Sequence, residues 1–271
     1  MRRIAAAATI ALAALLPASG GWSAGPADVF HRPIISLGAS QSSNWSGYNQ
    51  GTLEQGGKLF SSVSATWTVP MASQHRPNEA EYSSSWIGVG GGCVDAGCTV
   101  TDSTLIQTGT EQDVAKSGTA SYWAWWEVIP LPSIQITGMT IRPGDRMTAS
   151  IAEATPGSNV WTIKLRNATN GDSFATTVPY DSTHLTAEWI VETPVVIGGG
   201  GGVTVGPLPD LTTVHFDGAR TNGHNAGLKP SEAIQLVDPS SGQVLATPSA
   251  PDAQNNGFND CTYATTCRAL R

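Results

Sequence analysis

The chain has 271 residues, of which 40% are apolar and only 13% charged, against the ~25% charged that is usual for globular domains. A net charge of −7 argues against a nucleic-acid binder, which needs clustered positive charge to neutralise phosphates. The 30 Gly, 17 Pro and nine Trp argue against both a helical bundle and a disordered chain, and leave a secreted, turn-rich β protein.

In chain order, Met1-Arg2-Arg3 and the apolar stretch Ile4-Ala5 through Leu15-Leu16 form a basic head and a core too short to span a bilayer comfortably. Ser23-Ala24 follow as small residues suited to cleavage, so residues 1–24 are expected to be a signal peptide and the protein to be secreted. Residues 25–40 carry no clear pattern and are expected to be a short pro-segment or flexible tail. Strand signals begin near Asn44. Val63, Ala65, Trp67 and Val69 alternate with Ser and Thr, Met147, Ala149 and Ile151 follow a Pro143-Gly144-Asp145 turn, and Trp161, Ile163 and Leu165 alternate with polar residues. Asn170-Gly171 supplies a hairpin turn before Phe174–Val178. Val214/Phe216 and Ile234/Leu236 continue the pattern, and Gly198–Gly202 reads as a loop. Residues 41–271 are therefore expected to form a single all-β domain, a sandwich of two antiparallel sheets.

Cys93, Cys98, Cys261 and Cys267 allow three pairings. Their grouping favours the local loops Cys93–Cys98 and Cys261–Cys267, and zinc is disfavoured because the spacings lack accompanying His pairs. The five His include no H-E-x-x-H or H-x-H pair, and Asp-Thr-Gly and Asp-Ser-Gly are absent. Gly21-Trp22-Ser23-Ala24-Gly25 fits G-x-S-x-G only inside the leader. No metal or cofactor is expected.

Two segments are richer than structure requires. In Tyr122–Pro130, period two puts Trp123, Trp125 and Glu127 on one face and Tyr122, Ala124, Trp126 and Val128 on the other. In Ala187–Glu192, Glu188, Ile190 and Glu192 share a face opposite Ala187, Trp189 and Val191. A carboxylate among aromatics is poorly solvated, which raises its pKa toward that of a working acid or base. The plain alternative is a solvated sheet face, and Gln107 in Leu105-Ile106-Gln107-Thr108-Gly109 reads equally well as a surface or edge residue.

The order of segments adds more. Asn44-Trp45-Ser46-Gly47, Trp86-Ile87-Gly88, Leu105-Ile106-Gln107-Thr108-Gly109, Trp125-Trp126-Glu127 and Ala187-Glu188-Trp189-Ile190-Val191-Glu192 together resemble the glutamic peptidase (eqolisin) family. The resemblance implies a concanavalin-like, jelly-roll type sandwich and a secreted, metal-independent, pepstatin-insensitive acid endopeptidase. It implies Gln107 and Glu192 as the catalytic pair, with Trp45, Trp86, Trp125 and Glu127 contacting substrate. The implied partners are polypeptides, met by a monomer free of membrane and nucleic acid. The chain departs from the family at Gly90-Gly91, where the family often has Asp-Gly; Asp95 or Asp102 are candidates to replace that carboxylate. Two rival readings share the composition: a glycoside hydrolase using Glu127 and Glu192, and a carbohydrate-binding module with exposed Trp.

Overall fold

The computed structural model describes residues 28–197 and 203–270. The expected leader and the Gly198–Gly202 run lie outside the described residues. The period-two runs become strands because each has one apolar edge to bury. In Ser62–Thr68, Val63, Ala65 and Trp67 are buried while the intervening Ser and Thr are half-exposed. Arg146–Glu153 and Val160–Asn167 alternate the same way.

Two antiparallel sheets result. One runs in the order Ile134–Gln135, Ala120–Val128, Leu105–Val114, Ser84–Gly90, Thr186–Glu192, Trp45–Gly51 and Ala233–Val237. The other runs Ser173–Pro179, Val160–Asn167, Arg146–Glu153, Ser62–Thr68, Val214–Thr221, Phe258–Thr262 and Val244–Pro248. The strand Ala233–Val237 pairs in both and seams them along one edge. Asn170-Gly171 lies in a turn between strands ending at Asn167 and resuming at Ser173, longer than a two-residue hairpin connection.

The core between the sheets takes Tyr48, Ile87, Ala124, Ala187, Trp189 and Val191 from the first sheet, and Trp67, Trp161, Ile163 and Phe216 from the second. Each of these indoles removes roughly 150–250 Å² from water. The outward faces differ. In the second sheet Ser62–Thr68, Arg146–Glu153 and Val160–Asn167 alternate between buried and more exposed positions, whereas Trp45–Gly51, Ser84–Gly90, Leu105–Val114 and Thr186–Glu192 of the first are buried at every position. The Cys93–Cys98 and Cys261–Cys267 bridges close local loops, with Cα atoms 4.8 and 5.5 Å apart. Among the described residues, no helix is long and apolar enough to cross a membrane.

Candidate active site

The second face of the first sheet collects the unusual side chains, and strand register does the collecting. Gln107 lies opposite Glu127 on one side and Gly88 on the other, and Gly88 in turn faces Glu188. One step along, Gly109 sits between Trp86 and Trp125. A further step brings Glu111 opposite Ser84 and Trp123, while Ser84 and Trp45 both face Glu192. Period two therefore gives Gln107, Gly109 and Glu111 to one face. Gly109 is required there: a Cβ would come within 2.5 Å of both the Trp86 Cβ and the Ser85 carbonyl oxygen.

On this face Trp45 and Trp86 pack edge to face, with ring centroids 4.9 Å apart. Trp86, Trp125, Ile190, Leu105 and Ile34 share their cluster. The Trp86 indole N–H donates to Glu192 Oε2 at 2.8 Å, and that of Trp125 donates to Ser84 Oγ at 3.2 Å. Gln107 is fully buried, unlike a surface or edge residue. Its amide NH2 donates to Glu127 Oε2 at 2.7 Å, and its carbonyl oxygen is buried without a partner. Gln107 and Glu192 are not hydrogen-bonded to each other; each is held by its own neighbour.

Two further residues complete the cluster. His31 lies flat on Trp125, with centroids 3.8 Å apart and planes 8° apart. Its Nδ1 is 2.9 Å from Glu192 Oε2 and its Nε2 2.7 Å from Glu111 Oε1. Burial alone would lower the pKa of this imidazole, but the Glu111 and Glu192 charges outweigh it and hold the ring well above its usual 6.5. Both ring nitrogens then donate, as an imidazolium between two carboxylates.

Burial raises the other acids. Glu127 is pushed up to about 7 by desolvation, with the Glu192 charge adding to it and His31 and the Gln107 amide opposing. Glu111 is raised by burial despite His31, and Asp113, buried beside Glu111, is raised further. Glu188 is fully buried, which holds its pKa well above the usual carboxylate range.

The structure thus groups Trp45, Trp86, Trp125, Gln107, Glu127 and Glu192 on one sheet face. Neither candidate for the family's Asp joins them. Asp95 is half-buried and caps its own loop through Gly97, Thr99 and Val100, and Asp102 accepts from Thr104 and Thr183. Gly90 itself has φ +92°, and a Cβ there would lie 2.2 Å from the Thr104 carbonyl oxygen. This backbone admits no Asp at that position. Sequence reasoning missed Glu111, although its offset of four from Gln107 on a strand placed it on the same face. It also missed His31, for which an unpatterned segment offered no signal. Among the described residues, no group of three or more His, Cys, Asp or Glu is arranged to hold a metal ion.

Residues 43–260 match the Peptidase A4 family. Scytalidopepsin B of Scytalidium lignicola is 27% identical over 165 residues, 59% of this chain and 55% of that protein. The chain thus spans about half the length of this curated relative. Scytalido-glutamic peptidase, solved with a transition state analog inhibitor, superposes with a TM-score of 0.59 at 21% identity, covering 81% of this chain and 98% of that one. Aspergilloglutamic peptidase from Aspergillus niger gives 0.51 at 24% identity, covering 67% and 99%. These two likenesses carry the fold.

Proposed function

The chain belongs to the Peptidase A4 (eqolisin) family, and from that premise we propose that it is an acid endopeptidase in which Glu192 and Gln107 act on one water and one peptide carbonyl. The observation that carries the reading is the buried Gln107 amide, with an unpartnered carbonyl oxygen, on the same sheet face as a carboxylate oriented by the Trp86 N–H. A buried amide left half-satisfied costs stability unless a ligand completes it.

Peptide hydrolysis needs an activated water, a donor for the developing oxyanion and a proton for the leaving amine. Glu192 takes the proton from water as the oxygen attacks the carbonyl carbon, and returns it to the nitrogen as the C–N bond breaks. The Gln107 NH2 has two hydrogens; one is held by Glu127, and the second is free to meet the tetrahedral oxygen. The Gln107 carbonyl oxygen orients the water. Trp45, Trp86 and Trp125 wall the substrate. No step needs a nucleophilic Ser, a Cys or a metal, so activity is expected to withstand chelators and pepstatin-type inhibitors.

Glu127 sets the upper limit. With its pKa at about 7, it is neutral in acid and charged above. A second negative charge next to Gln107 opposes the growing oxyanion, so activity falls as pH rises through that value. A buried Gln beside three Trp supports a peptidase over a glycosidase, which has no role for it. The wider reading is a secreted monomer with residues 1–24 as a cleaved leader and 41–271 as the peptidase domain, acting on polypeptides. In support, the structure of SCP-B, an eqolisin, holds the tripeptide Ala-Ile-His.

The test is digestion of an unfolded protein from about pH 2 to 8, with cleavage sites mapped by mass spectrometry, in the native chain and in Glu127→Gln. The native profile should peak in acid and fall near pH 7, and the variant should lose the alkaline fall. A native profile that climbs steadily past neutrality refutes the reading.

A further inference from the structure

The outward faces of the two sheets lie on opposite sides of the molecule, and they differ in charge. On the second sheet, register sets two adjacent rows across four strands: Ser173, Arg166, Thr148 and Thr66 in one, and Ala175, Lys164, Ser150 and Ser64 in the next. These positions are exposed or half-buried. Arg146 stands on the same face, two residues before Thr148 on its strand and diagonal to Arg166. Neighbours of this kind are about 7–8 Å apart, close to one Debye length, so the three positive fields add. One strand further on, Asp217 and Arg220 follow Thr66 and Ser64. Arg220 turns back onto the Gly223 carbonyl oxygen, and Asp217 accepts from the Gly218 N–H.

The three cations have no counter-charge within the fold. Among the described residues, ion pairs lie at His31, His75, Arg76 and His184, and none involves Arg146, Lys164 or Arg166. This occurs in a chain where 21 acids outnumber 14 bases, although neighbouring like charges on a sheet repel. Lys164 and Arg166 also line a hollow of about 420 Å³, shared with the hydroxyl-bearing Thr148, Ser150 and Ser173.

The chemistry of the face selects its occupant. Unpaired guanidinium and ammonium groups call for an anion, and Arg takes two oxygens of a sulfate or phosphate in a bidentate fork. Hydroxyls along the same rows match the hydroxyls of a sugar chain. A bilayer needs apolar side chains to insert. Among the described residues of these strands, the large apolar side chain that is exposed is Val160, at a strand end. Single-stranded nucleic acid needs aromatic platforms for its bases, and here Trp67, Trp161, Phe174 and Phe216 turn to the core. A carboxylate polymer loses its charge in acid, below about pH 4, whereas a sulfate or phosphate ester keeps one.

We propose that the outward face of the second sheet, centred on Arg146, Lys164 and Arg166, docks a polysaccharide bearing sulfate or phosphate esters. The anchored chain would keep its other sheet face turned away from the polymer and free for substrate.

The experiment measures equilibrium binding of the full chain to immobilised dextran sulfate, phosphorylated dextran, polygalacturonate and uncharged dextran, at about pH 3 and about pH 6. The native chain should bind one or both ester polymers at both pH values, polygalacturonate only at the higher, and uncharged dextran at neither. The tighter of the two ester polymers identifies the ester, and binding to neither overturns the proposal. Lys164→Gln and Arg166→Gln should each weaken binding about two- to five-fold, and the triple variant with Arg146→Gln about ten- to a hundred-fold. The whole chain turns cationic in acid, so Lys116→Gln, at an exposed position away from this face, is the control for overall charge. It should bind as the native chain does; a loss equal to that of the triple variant overturns the proposal. Binding to phosphatidylglycerol vesicles or duplex DNA as tight as to the ester polymers refutes a polysaccharide as the occupant. The triple variant should hydrolyse a soluble peptide at the native rate. Docking without hydrolysis in any form of the chain would uphold this surface and end the peptidase reading.

Discussion

The two sheets are built from the same period-two rule and part company on their second faces. The sheet containing Val160–Asn167 turns Thr162, Lys164 and Arg166 outward, half-exposed or exposed. The sheet containing Leu105–Val114 turns Gln107 and Glu111 outward from the core and buries them again. In the first case water solvates the polar groups. In the second, indoles together with His31 and Ile34 replace water, so each acid must find a partner, a proton or a raised pKa. Desolvation of one sheet face, more than any single residue, separates the scaffold from the site.

The largest break in this comparison comes from the site sheet. Glu192→Gln should remain folded and lose activity by about a thousand-fold or more, and Gln107→Ala should lose about 10²–10³ in kcat, the range for one oxyanion donor. Steady-state kinetics, beside a thermal melt, checks both; a folded Glu192→Gln retaining a tenth of native activity ends the assignment. The scaffold sheet should respond in the opposite manner. Trp161→Ala, at a fully buried core position, should cost about 3–5 kcal/mol of stability and leave the activity of the molecules still folded near native. Lys164→Glu on its exposed side should stay within about 0.5 kcal/mol. Denaturant melts decide the pair.

A smaller effect sharpens the contrast through pH. Burial raises Glu111, Asp113 and Glu188, and brings Glu127 and Asp260 each to about 7. An acid with a raised pKa binds its proton more tightly when folded. Its contribution is whole below the unfolded value and is lost as pH rises through the folded one. Asp95 and Asp238, held low by hydrogen bonds from Thr99 and Ser240, pull the other way but are solvated and weak. The melting temperature should therefore be several degrees higher near pH 4 than near pH 8. Calorimetry showing the reverse slope would remove the desolvated face as the cause.

Much of this was legible before folding. Alternation alone separated Trp123, Trp125 and Glu127 from Ala124 and Val128, and Glu188, Ile190 and Glu192 from Trp189 and Val191, because successive side chains on a strand point to opposite faces. The core cluster takes the second set of each. The spaced motifs brought Gln107 and Glu192 forward, and the grouping of cysteines favoured the local bridges. Gly90 could be noticed as a departure, but its reason needed coordinates, since only they reveal a positive φ and a carbonyl where a side chain would go.

Periodicity assigns a residue to a face without saying whether that face is wet. Glu111 was placed by its spacing from Gln107 and still resembled any solvated acid. Its burial and its bridge to His31 depend on a segment from the far end of the chain. His31 and Glu192 are separated by 161 positions, and no local pattern encodes a meeting over that distance. The sequence by itself determined the faces of the period-two strands such as Ser62–Thr68 and Thr186–Glu192 and put forward candidates for the proposed chemistry, since face depends on neighbours one to four positions away. Only the tertiary structure decided which carboxylates lose their water and which imidazole replaces it, because desolvation is a property of what packs on top.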